Sequence, residues 1–118
     1  MPGHNVLHDM FESDLSINDP DHLASFDIDR SPAYCDIVTT TLEYRTLNDP
    51  ARPGLTLFLH MLTDGGDCTV VAASAVNASG NTFITFNDAG DWCQFISISD
   101  GAGAYRWEVI ASSGVSLS

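Results

Sequence analysis

Residues 87–117 read NDAGDWCQFISISDGAGAYRWEVIASSGVSL. Two strand-length apolar runs, each carrying a tryptophan (Trp92 and Trp107), flank the glycine-rich turn Asp100-Gly101-Ala102-Gly103. In the second run Tyr105, Trp107 and Val109 alternate with Arg106, Glu108 and Ile110, the two-residue period of a strand with one face on a core. Strand-like runs separated by residues that tolerate left-handed backbone read as a β-hairpin. The stretch therefore predicts a hairpin closing a small all-β domain.

The same pattern recurs through the preceding residues. Candidate strands are Cys35 to Tyr44, Leu55 to Leu62, Cys68 to Ser74, Thr82 to Phe86, Trp92 to Ser99, Ala104 to Ala111 and Val115 to Leu117, separated by NDPARPG, TDGGD, NASGN, NDAGD, DGAG and SSG. Leu55, Leu57, Leu59 and Met61 alternate with Thr56, Phe58, His60 and Leu62, so the first set is the core face. Turn signals about every ten residues are the mark of a sandwich or barrel. The expected fold is all-β, a small antiparallel β-sandwich or barrel of about six to seven short strands, spanning residues 34–118.

Residues 1–33 differ in character. Asp9, Glu12, Asp14, Asp19, Asp21, Asp27 and Asp29 face a single Arg30, while Pro2, Pro20 and Pro32 interrupt the scattered hydrophobes. No period is sustained, and the apolar content is too small for independent folding. This stretch is expected to be an extended acidic N-terminal arm whose large hydrophobes lie down on another surface.

The chain has 118 residues, a formal charge of −12 and no lysine; Arg30, Arg45, Arg52 and Arg106 are its cations. Such a surface repels phosphate backbones, which disfavours nucleic-acid binding. Nothing approaches the length of about 18 apolar residues that a membrane helix needs, and MPGHNVLHDM has no basic segment followed by an apolar run, so neither a membrane span nor a secretory signal is expected. Cys35, Cys68 and Cys93 are odd in number and far apart, which reads as buried small hydrophobes rather than a disulfide framework.

The residue types needed for catalysis do not assemble into a motif. There is no G-x-S-x-G elbow, the turn that would deliver a nucleophile. His4 and His8 with Asp9 could share a helix face and hold a metal, but the flanking Pro2 and Gly3 weaken that helix. The acidic run from Asp14 to Asp29 lacks the order of a calcium loop, and the carboxylates of Asp64-Gly65-Gly66-Asp67 and Asn87 to Asp91 read as turn chemistry. No metal, no cofactor and no enzymatic activity are expected. Trp92 and Trp107 are expected to pack in the core, and Phe58, on the less apolar face of its strand, is the aromatic suited to an interface.

The order of elements, from GLTLFLHML through NTFITFNDAGDWCQFISI to YRWEVIASSGVSLS, resembles small β-domains of tailed-bacteriophage virion proteins, of head decoration (cement) or fibre and spike type. The most specific part is Gly90-Asp91-Trp92 followed by Arg106-Trp107 and the terminal Gly114-Val115, about the last third of the chain. The resemblance implies a non-enzymatic capsid decoration subunit, made in the host cytoplasm and carried on the virion. It would form a homotrimer, bind the major capsid protein on the outside of the head and stabilise capsomer junctions. In that setting Phe11, Leu15, Ile17 and Phe26 of the arm, with Phe58 of the domain, are the expected partner contacts. The alternative implied is a fibre or spike module recognising a host-surface glycan, which requires aromatic rings exposed on one face.

Overall fold

The computed structural model describes residues 16–118. Nine strands form: β1 (Ser25–Phe26), β2 (Ala33–Val38), β3 (Glu43–Leu47), β4 (Thr56–Thr63), β5 (Cys68–Ala72), β6 (Phe83–Phe86), β7 (Trp92–Ser99), β8 (Tyr105–Ser113) and β9 (Ser116–Leu117). They make a five-stranded sheet, β1-β3-β5-β6-β9, and a four-stranded sheet, β2-β4-β7-β8. The architecture is a small β-sandwich, and no helix occurs among the described residues.

The first half of the chain winds as a flat spiral. Successive strands β1 to β5 alternate between the two sheets, so each lies beside the strand two before it, and the pairs β1–β3, β2–β4 and β3–β5 are all parallel. Ser16 bridges Tyr34 in parallel as well, which carries the winding back to the start of the described chain. Parallel pairing needs a long crossover, usually a helix; here the crossover is a strand of the opposite sheet. The second half is antiparallel throughout, with β4–β7, β5–β6, β6–β9 and β7–β8. The sheets are therefore mixed, where the sequence pattern predicts antiparallel pairing alone.

Of the two strands beyond the expected seven, β1 comes from the N-terminal stretch and the other from a corner. The expected single strand Cys35 to Tyr44 is two strands, β2 and β3, in different sheets. Its centre, Thr39 to Leu42, has the β-branched composition of a strand, but its polar groups are satisfied by other partners. The buried Thr39 hydroxyl donates to the Gly66 carbonyl at 2.6 Å, and the Glu43 carboxylate accepts the Thr40 amide at 2.8 Å. The β4–β5 corner lies directly over this one. A Cβ on Gly65 would stand 2.2 Å from the Thr39 oxygen, and one on Gly66 2.3 Å from the Thr41 carbonyl carbon. Only glycines let the two corners stack this closely.

The core lies between the sheets and holds the expected Leu55, Leu57, Leu59 and Met61. Trp107 is buried against Phe95 at 6.4 Å, edge to face, and its ring nitrogen donates to the Asn48 carbonyl at 3.0 Å. Trp92 is not core. Cys93, Phe95 and Ser97 point inward, so Trp92 is half-buried on the outer face. Both phases of the strand WCQFISIS contain large apolar residues, and the inward phase includes a serine. The Ser97 hydroxyl accepts the Leu55 amide at 2.7 Å and donates to the Arg52 carbonyl at 2.9 Å, which is how a polar residue fits there.

The described part of the N-terminal stretch is laid into this body. Phe26 and Ile28 belong to the core, and Ile17 packs against it. Asp19 is clasped by Arg45 of β3, whose guanidinium also meets Glu43 and the Cys68 sulfur.

Candidate partner-binding face

The outer face of the four-stranded sheet carries a row of aromatic rings. In β2 and β4 the inward residues are the apolar Cys35, Ile37, Leu57 and Leu59, which leaves Tyr34, Asp36, Phe58 and His60 outside. Parallel register places Tyr34 beside Phe58 and Asp36 beside His60, while the antiparallel β4–β7 pairing sets Trp92 opposite His60 and diagonal to Phe58. Tyr34 and Phe58 stack at 5.6 Å with planes 8° apart, and Phe58 and Trp92 at 5.3 Å and 17°. Rings this close and this parallel are offset-stacked. Phe58 thus has a near-parallel ring on each side, Tyr34 from β2 and Trp92 from β7.

One end of the row is fixed by a polar network. Asp36 Oδ1 accepts the Tyr34 hydroxyl at 2.7 Å and lies 2.9 Å from His60 Nδ1. Burial pushes the Asp36 carboxyl up, but the hydrogen bonds from His60 and Tyr34 outweigh it and hold the group below the usual carboxylate range. Burial, then the hydrogen bond to Asp36, pushes the Tyr34 phenol up to about 12. Tyr34 is therefore a neutral donor to a carboxylate, a charge-assisted bond that fixes its ring before any partner arrives. Beside the row, Pro32, Ala33, Tyr34, Thr56, Phe58 and Gln94 line a shallow hollow of about 360 Å³.

The expected contact residues fall in different places. Phe58 is the centre of the aromatic row. Ile17 and Phe26 line a separate hollow of about 310 Å³, together with Ser16, Pro20, Asp27 and Arg30, at the leading end of the spiral. Phe26 is 2 % exposed, so its ring is committed to the core. Phe11 and Leu15 lie outside the described residues, as do His4, His8 and Asp9. Among the described residues no three His, Cys, Asp or Glu side chains gather closely enough to hold a metal ion. The Cys35 and Cys93 thiols are pushed by burial to about 12 and Cys68 to about 11, which removes their nucleophilic form at neutral pH.

Sequence reasoning missed Tyr34, Trp92 and the Asp36–His60 pair as members of one site. Trp92 joins through the antiparallel β4–β7 register, and Tyr34 and Asp36 through the β2–β4 register, a parallel pairing with a strand of the other sheet in between. No protein-family model matches this chain, and no curated protein matches its sequence. Neither comparison ties it to the virion proteins expected from its sequence pattern.

Proposed function

We infer that this is a non-enzymatic binding protein that docks on another protein through the outer face of its four-stranded sheet. The observation that carries this reading is the stacked row Tyr34, Phe58 and Trp92, pre-set by Asp36 beside a shallow apolar hollow. Rigid aromatic side chains around a water-excluding pocket are the usual energetic centre of protein interfaces. A sugar-binding platform instead lays a pyranose on an open ring face, and Phe58 has a near-parallel ring on each side, which favours the protein partner.

Within the setting implied by the resemblance, the protein is a head decoration subunit and its partner is the outer surface of a major capsid protein shell. Binding the assembled shell and not its free subunits stabilises the shell by mass action. The experiment is co-sedimentation with empty shells of the cognate major capsid protein, wild type beside Phe58→Ser. Saturable binding by the wild type and a loss of about tenfold or more in the folded variant are expected for a central aromatic contact. Absence of wild-type binding would sink the capsid reading; equal binding by both would move the contact off this face.

A further inference from the structure

The outer face of the five-stranded sheet carries no charge, although the chain bears −12. Its outward residues are Ser25, then Tyr44 and Thr46 of β3, Thr69 and Val71 of β5, Phe83 and Thr85 of β6, and Ser116. Register sets them in two rows, Tyr44–Thr69–Thr85–Ser116 and Ser25–Thr46–Val71–Phe83. Thr69 and Thr85 satisfy each other across the strands at 3.0 Å. Tyr44 and Phe83 stand 41 % and 43 % exposed on this face. The other sheet, by contrast, shows Asp36, His60 and the Arg106–Glu108 pair to solvent.

A second feature marks the same region. Leu23 has a left-handed backbone, φ 70°, and is 70 % exposed. Its amide donates to the Tyr44 carbonyl at 2.7 Å, and the Tyr44 amide donates to His22 Nδ1 at 3.0 Å. A leucine in left-handed backbone is strained, and here its side chain is largely in water; such positions gather at functional surfaces. The backbone bond places Leu23 next to Tyr44 at the edge of the sheet.

We propose that this charge-free face is a contact between copies of the chain. A basic partner would be met by acidic side chains, which are plentiful elsewhere and missing here. A partner that is itself strongly acidic can approach only where no acid faces it, and a second copy, also at −12, is such a partner. The inference is independent of the capsid reading and uses the opposite sheet. The face is two side chains deep across five strands, roughly a few hundred Å², below the ~800 Å² a side of a stable interface. Association is therefore weak and reversible, and effective where copies are crowded.

Salt gives the distinguishing signature. Repulsion between like-charged copies is screened as the Debye length falls from about 30 Å at 0.01 M to about 8 Å at 0.15 M, so self-association strengthens with salt, whereas a contact built on ion pairs weakens. Sedimentation equilibrium of the full chain at rising concentration, at both salts, reads this directly. Val71→Asp and, separately, Phe83→Asp bring like charges face to face and weaken association about tenfold or more, while Ile98→Asp on the other sheet leaves it unchanged. Thermal melts establish that each variant is folded. A chain that stays monomeric at high concentration and 0.15 M salt, association that weakens with salt, or association indifferent to both face variants would each overturn the proposal.

Discussion

Arg45 grips Asp19 with two hydrogen bonds, Nε to Oδ1 at 2.7 Å and Nη2 to Oδ2 at 3.0 Å, at a guanidinium that is 2 % exposed. Asp19 Oδ2 also accepts the Val38 amide at 2.9 Å. One carboxylate thus joins the stretch before β1 to the strand β3 and to the end of β2. Removing it leaves a buried cation with Glu43 as its remaining carboxylate, and breaking a buried pair from one side costs about 3 kcal/mol or more. Asp19→Ala is expected to lose roughly that much in urea unfolding, and a loss under ~1 kcal/mol would mean that Glu43 alone satisfies Arg45.

The stacked corners make a second expectation. A Cβ on Gly66 meets backbone at 2.3 Å, whereas one on Gly54, at φ 83°, meets nothing within 4 Å. Gly66→Ala is expected to cost about 3 kcal/mol through overpacking, and Gly54→Ala only about 1 kcal/mol through its left-handed backbone. Equal losses in chemical denaturation would contradict the corner stacking.

Acid sensitivity follows from Glu43. The Thr40 amide hydrogen bond, with Arg45 helping, holds its carboxyl below the ordinary value of 4.5. A carboxylate whose folded pKa is depressed adds stability above its unfolded pKa and loses it as pH falls through the folded one. Melting temperature is expected to be level near neutrality and to fall below about pH 4.5, with Glu43→Gln less stable at pH 7 and flatter on the acid side. Parallel pH profiles for the two proteins would show the carboxylate uninvolved.

The three cysteines are free and buried. Alkylation at pH 8 followed by mass spectrometry is expected to leave the native protein unlabelled and to label all three thiols in urea. Rapid native labelling would mean that the sheets open readily.

The sequence pattern reveals the class of fold because alternation and turn residues are local properties. Leu57, Leu59 and Met61 are core as their spacing predicts, and all are fully buried. The spiral is not local. Three threonines in a row favour extended backbone, and what turns the chain at Thr39 is a partner corner more than twenty residues away, at Gly65 and Gly66. The same holds for the site. Phe58 is identifiable from the face it occupies, but its neighbours Tyr34 and Trp92 follow from strand order. Trp92 reads as core because its strand offers large apolar residues in both phases, and Ser97 shows which phase is inward only once its hydroxyl partners are known.

Hydroxyl-radical footprinting of the protein, free and bound to empty capsid shells, tests the aromatic face most directly. Tyr34, Phe58 and Trp92 are expected to be oxidised in the free protein and protected on the shell, with buried Trp107 unmodified in both. Unchanged oxidation of those three residues on the shell, with protection appearing elsewhere, would contradict docking through this face.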